Sequence, residues 1–512
     1  MRALVDQKFR GKKCDDMRYR RRSRSADACV DVLFEQPPAI RSIIRQSFGR
    51  DGGLPPLSEL VEDDQQAADY ARTLRHGLKK RTISHYTSVA DIANGEARLC
   101  KYVTVYDKIS DSVTLHPVPS DSEKPDFVKK FLSQTCRDES DKFCWFAYTD
   151  QHFFYTYFMS QEKRVLALSS HLFSPRFFSA ILQAVAAQSG PSSLLTQVMH
   201  ELVTQTIPLP GQVMTLKGSE IQVPWQMPQV TASKSSILLT HMEPEAIVKS
   251  VSTLVQEKRL VFISRDAGLL VDASKSLLSL IYPLAWDYMY WPFVPDDLVK
   301  LCAAFTLPYF ICLRPDQFAP FQEALTRREQ KILIVDLDSH TVPQETGCET
   351  RILPKQYILS VTTALHLSRN MTDPTDSLRD RAVQETFQEL FCRLLGPVTP
   401  HISDGTFSKE TFIRSLDREH RSFFHWFSET RLFENFVKYW QVRAIHSKYV
   451  PLATKRTHMD MFEMRTERMR LQLNKKPGTT KETTTGWSRS AMRVVEKRIR
   501  AISDKMTKTK NY

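Results

Sequence analysis

The chain has 512 residues, more than one ordinary core of about 100–200 residues holds, and its 42% hydrophobic and 10% aromatic content is enough for two to four packed units. No apolar run approaches the roughly 18 residues of a membrane span, and the start, Met1-Arg2-Ala3-Leu4-Val5-Asp6, lacks the apolar stretch of a secretory signal, so the reading is cytoplasmic. The net charge of +13 sits in the ends: residues 1–50 carry 13 Lys+Arg against 6 Asp+Glu, residues 441–512 carry 18 against 6, and residues 51–440 carry 40 against 46, which argues against a nucleic-acid-binding core.

Residues 1–85 combine a basic run, Arg18 to Arg24, with Asp/Gly/Pro-rich stretches, a composition that predicts a basic, largely disordered N-terminal region. Residues 86–203 change character. Tyr102, Val103 and Val105, a break at Asp107-Lys108, then Val113 and Leu115 predict a hairpin, and three more strands are expected at 143–148, 153–159 and 164–169. Ser174-Pro175 predicts a capped helix start, followed by Phe177, Phe178, Ile181, Leu182 and Val185 at helical spacing. This is an α+β unit. Residues 204–236, rich in Pro, Ser and Gln, read as an extended connector.

From 237 to 370 helices alternate with short, continuously apolar strands. Ile247, Val248, Val251, Leu254 and Val255 share a helical face, residues 260–263 form a strand, and Leu277, Leu278, Leu280 and Ile281 lie on a helix that stops at Pro283. A short helix at 298–305, a strand at 309–313, a helix at 318–328 and a strand at 332–335 follow, which indicates an α/β layer structure with a mostly parallel sheet. Residues 371–445 are helical, with Phe387, Leu390, Phe391, Leu394 and Leu395 in register and an aromatic stretch from 423 to 440. In the basic tail, 446–512, Val494, Val495, Ile499 and Ile502 lie on one face of an amphipathic helix among Arg493, Lys497, Arg498 and Arg500, a pattern suited to anionic membrane.

Familiar chemistry is missing from the motifs. There is no phosphate-loop, dinucleotide, zinc-protease or nucleophile-elbow signature, and 15 glycines in 512 residues leave few places for backbone-lined phosphate cradles. The nine cysteines are scattered without a C-x-x-C pair, as expected of free thiols. The strand end Asp336-Leu337-Asp338 invites a phosphatase reading, but His340 stands where a metal-dependent haloacid-type motif wants Thr or Val; turn capping is the plainer role. No catalytic residue, metal or cofactor is assigned.

Three local patterns in the right order carry a resemblance. They are Glu257-Lys258-Arg259 running into Leu260-Val261-Phe262-Ile263-Ser264; Tyr282-Pro283-Leu284-Ala285-Trp286 with Pro292, Pro295 and Pro308-Tyr309-Phe310; and Ile334-Val335-Asp336-Leu337-Asp338. Together they resemble the central block of DENN-domain proteins, exchange factors for Rab-type GTPases. The stretch around Val165-Leu166-Ala167-Leu168-Ser169-Ser170, and Glu429-Thr430-Arg431-Leu432-Phe433-Glu434-Asn435-Phe436, are similar to the family's flanks. The resemblance implies a longin-like upstream lobe, a central three-layer α/β lobe and a helical downstream segment packed on it.

It also implies a regulator without covalent catalysis or cofactor, acting in vesicle trafficking by binding GTPase switch regions and promoting GDP release. The alternatives are a non-exchanging scaffold and a GTPase-activating relative, each binding a small GTPase at a membrane. Tyr282, Pro283, Trp286, Pro292, Pro295, Pro308, Asp336 and Asp338 are family-motif positions with structural roles. Arg265, Asp266, Tyr288, Tyr290 and Trp291 are the expected GTPase contacts.

Overall fold

The computed structural model describes residues 98–117, 131–133, 143–150, 152–170, 172–187, 192–206, 213–216, 219–222, 234–305, 307–325, 331–347, 349, 353–371, 376–403, 406–449 and 461–474. The expectations for residues 1–85 and for the 493–502 helix lie outside these. Among the described residues no helix is long and apolar enough to cross a membrane.

Five antiparallel strands come first: β1 (Tyr102–Asp107), β2 (Ser112–His116), β3 (Phe143–Asp150), β4 (His152–Ser160) and β5 (Arg164–Ser170), in the order β3-β4-β5-β1-β2. Strands β1, β3, β4 and β5 each feed two cores because their side chains alternate across the sheet. In β5, Leu166 and Leu168 join one buried cluster while Val165 and Ala167 join the other. Helices α1 (Pro175–Ala186) and α2 (Ser192–Thr204) follow. The sequence places a serine cap on α1, and Ser174 does occupy that position, but its side chain makes no cap bond. Its backbone N–H instead donates to the Tyr157 hydroxyl, which in turn donates to the Leu172 carbonyl.

The connector is more structured than its composition suggests. It contains the antiparallel pair β6 (Val213–Leu216) and β7 (Ser219–Gln222), with Met214, Leu216 and Ile221 buried in the larger cluster, and the short helix α3 (Ser236–His241) begins at its last residue. Three buried apolar side chains in a polar stretch were too few to set a period.

A parallel array follows: α4 (Pro244–Val255), β8 (Arg259–Ile263), α5 (Ala267–Leu280), β9 (Met289–Trp291), α6 (Val299–Ala304), β10 (Tyr309–Leu313), α7 (Pro315–Ala324) and β11 (Ile332–Asp336), closed by the antiparallel edge strand β12 (Thr341–Gln344). Strands β8 to β11 run parallel in the order β11-β8-β10-β9. They read as unbroken apolar runs because both faces are covered. Leu260 and Phe262 of β8 face one core, Val261 and Ile263 the other. Helix α5 lies on the first face, through Leu269, Leu270, Ala273 and Leu277, and α6 and α7 on the second, through Leu301, Cys302 and Phe321.

Three-residue β9 joins the halves into one ten-stranded sheet, pairing parallel with β10 and, through Tyr290 opposite Ala147, antiparallel with β3. The join is packed by aromatics, with the Trp145 and Tyr290 rings 4.5 Å apart and Phe131 against both Phe146 and Trp291.

Helices then cover the first face: α8 (Lys355–Arg369), α9 (Asp376–Leu395), and, after the small pair β13 (Ile402–Ser403) and β14 (Thr406–Phe407), α10 (Lys409–Ser415), α11 (Arg418–Phe427) and α12 (Arg431–Tyr449). The aromatic stretch packs on itself: the Phe424 ring lies 4.8 Å from that of Phe412 and 6.1 Å from that of Phe427, and the Phe433 ring lies 5.5–6.4 Å from all three. Part of the basic tail is also helix. In α13 (Met461–Asn474) Phe462 is buried against Phe436 and Trp440, and Arg465 lies beside Glu385 and Glu389 of α9.

Candidate functional site

In a parallel sheet the ends from which the connections to helices leave are where ligands and partners are received, above all where neighbouring strands send their connections to opposite faces. Here that place lies between β8, followed by α5 on one face, and β10, followed by α7 on the other. The chain leaving β8 is Ser264-Arg265-Asp266. Asp266 caps α5, its Oδ1 accepting from the N–H groups of Gly268 at 2.8 Å and Leu269 at 3.1 Å, and its own N–H donates to Ser264 Oγ at 3.0 Å. Arg265 and Asp266 are exposed. Across the crevice Arg314, after β10, bonds Asp296 at 2.6 Å and Asp316 at 3.0 Å.

The end of β11 is tied to the same point. Asp338 accepts from Ser264 Oγ at 2.7 Å and from the Arg265 N–H at 2.9 Å, while Asp336 accepts from the N–H groups of Asp338 and Ser339, closing a turn in which His340 adopts φ +58°. Partial burial alone would raise the Asp338 pKa, but the bonds from Ser264 and Arg265, with the nearby Arg265 and His241 charges, hold it below the ordinary carboxylate value. A carboxylate with a depressed folded pKa stabilises above its unfolded pKa of about 3.9 and loses that contribution as pH falls through the folded value. Asp338→Asn is therefore expected to lose a small amount of stability at pH 7, under about 1 kcal/mol for so exposed a group, and the deficit to close below pH 4 in urea titrations of both proteins.

Tyr288, Tyr290 and Trp291 are not at this surface. Tyr290 and Trp291 are both 0% exposed and Tyr288 is 8% exposed, so the expectation that they contact a partner is corrected: these rings are core. Tyr290 Oη is 2.8 Å from Ser274 Oγ, and burial pushes its hydroxyl pKa far up. Trp286 is buried with its Nε1–H donating to the Met289 carbonyl at 3.2 Å; Pro283, Pro292 and Pro295 are also buried, while Tyr282 and Pro308 are half-buried. The aromatic run signals a buried strand crossing between two cores.

Sequence reasoning also missed a buried polar junction. Asp287, 1% exposed, accepts from Asn435 Nδ2 at 3.1 Å and lies 3.3 Å from Arg431 Nε. Glu257, at φ +52°, accepts from the Leu432 N–H at 2.8 Å, at the start of α12. Burial first, then the Glu257 charge, raises the Tyr288 hydroxyl pKa, so it remains a neutral donor beside Glu257. The first two motif blocks thus meet the downstream flank, Glu257 through Leu432 and Asp287 through Arg431 and Asn435. Glu257, Arg431 and Asn435 stood within the quoted patterns and Asp287 directly after one, but nothing local showed that they touch.

The DENN (AEX-3) domain family profile matches residues 161–340, which run from the start of β5 to the turn before β12 and include both the crevice and Asp287. This stretch of the chain is similar to a DENN domain. Among curated relatives it is similar to DENN domain-containing protein 2A of Homo sapiens, 24% identical over 316 residues, 56% of this chain and 30% of that protein. It is likewise similar to DENN domain-containing protein 2D of Mus musculus, 23% identical over 276 residues, 51% of this chain and 58% of that protein. DENN domain-containing protein 2B of Homo sapiens is 21% identical over 295 residues, 53% of this chain and 26% of that protein. The match therefore spans between about a quarter and somewhat over half of each relative's length. Within the DENN match lie all the residues of the β8 and β11 ends, whereas Arg431 and Asn435 lie beyond it.

Proposed function

We propose that this protein is a DENN-domain guanine nucleotide exchange factor for a Rab-type small GTPase, working in vesicle trafficking without covalent catalysis. The observation that carries the reading is the DENN match across the carboxyl ends of the parallel strands, where Arg265 and Asp266 are exposed on a braced backbone. In the family's terms, residues 86–203 would be the longin-like upstream lobe, 237–370 the central three-layer lobe and 371–445 the downstream segment. The GTPase would dock across the first two, which β9 holds in one sheet.

Exchange requires only that the nucleotide-free GTPase be bound more tightly than the nucleotide-bound one, so that nucleotide affinity falls by the same factor. A rigid face offering fixed charges to the switch regions suffices. The basic tail would hold the protein peripherally on anionic organelle membrane. Arg265→Glu is the local test: it leaves the Asp338 bond to the residue's backbone N–H intact, and is expected to weaken binding to the nucleotide-free GTPase about ten-fold or more with an unchanged melting temperature. Unchanged affinity would remove this face from the docking surface. Preferential binding with no acceleration of GDP release would instead favour the scaffold reading.

A further inference from the structure

The last residue of β2, His116, and the middle of α2, His200, lie together where α2 packs on β1 and β2 at one edge of the ten-stranded sheet. His116 Nε2 is 3.2 Å from His200 Nδ1, the ring centroids are 5.3 Å apart and the planes are inclined at 75°. His200 is exposed and His116 half-buried, so water reaches the pair. Neither residue belongs to the crevice; His116 lies before the DENN match and His200 within it, at the opposite end of the sheet order from the parallel strands.

We propose that His116 and His200 form a binding site for an imidazole-preferring divalent transition metal, Zn²⁺ in the first instance. The geometry carries the proposal. With metal–nitrogen bonds of about 2.0–2.1 Å, two nitrogens 3.2 Å apart subtend roughly 100° at a shared ion, close to the tetrahedral angle. Without metal, the pair makes one N–H···N hydrogen bond and uses one lone pair. With metal, the bridging proton moves to the other nitrogen of its ring, both facing lone pairs go to the cation, and the far ring nitrogens donate to water. Among the described residues no set of three His, Cys, Asp or Glu side chains gathers to hold an ion. The two imidazoles are therefore this chain's described contribution and water fills the remaining positions, which makes the site exchangeable. Binding would tie the edge strand to α2 and stabilise the folded chain by mass action.

The test uses the full chain stripped with chelator and titrated with Zn²⁺ against a chromophoric competitor, alongside His116→Gln, His200→Gln and the double variant. Glutamine keeps a hydrogen-bonding group at each position but removes the imidazole. The chain has 14 His and 9 Cys, so the readout is the difference between variants. Each single variant is expected to lose one binding equivalent, or to weaken it about 100-fold, and the double variant to lose no more than either single, because both rings serve one ion. Metal-free circular dichroism confirms that each variant folds. Binding unchanged in both single variants, or losses that add in the double variant, would overturn the shared site.

Discussion

Replacing Arg431 with methionine is expected to cost about 3–5 kcal/mol of folding stability, read as a lower urea midpoint with an unchanged slope. Methionine keeps most of the side chain's length, so packing is largely preserved. What changes is that the buried Asp287 carboxylate loses the guanidinium 3.3 Å away while keeping its bond from Asn435. Removing the cation beside a buried carboxylate is far costlier than losing a surface pair. Removing the charge as well, in Asp287→Asn with Arg431→Met, should recover part of the loss, with a coupling of about 1–3 kcal/mol. If Arg431→Met alone costs under about 1 kcal/mol, the junction does not hold α12 to the sheet.

Trp291→Ala should be comparably damaging, about 3–5 kcal/mol, since it opens a large cavity beneath β9 among Phe131, Phe305 and the second core. Arg265→Ala, an exposed residue, should stay within about 0.5 kcal/mol of the parent. This contrast separates an interior ring from a contact residue. A Trp291→Ala protein with parent stability but weakened GTPase binding would restore the surface reading that its burial argues against.

Much of the fold was legible where the sequence repeats a simple period. Residues 260–263 and 309–313 are strands buried on both faces, and their continuous apolar runs announce them. Met289-Tyr290-Trp291 gave no such signal, because three residues hold less than two repeats of a strand, and its aromatic richness reads equally as a partner surface. The β6–β7 pair was hidden for the same reason.

The crevice was partly legible. Arg265 and Asp266 were placed at a strand end by the patterns alone, and the turn-capping role of Asp336 agrees with its accepted N–H bonds. The junction was not, since Asp287 meets Asn435 across 148 residues of sequence and Glu257 meets Leu432 across 175. Local propensity carries no information about pairs so distant. Helix α13 was obscured by its charge, because Arg465 counts as a solvated tail residue until its carboxylate partners on α9 are seen.

The most direct test of the account is the rate of GDP release from a panel of Rab-type GTPases loaded with a fluorescent GDP analogue, with and without the full chain and in excess unlabelled nucleotide. The account predicts that at least one GTPase loses GDP about ten-fold faster or more, with the acceleration reduced by Arg265→Glu. Release unchanged across the panel, together with no preference for any nucleotide-free GTPase, would contradict it.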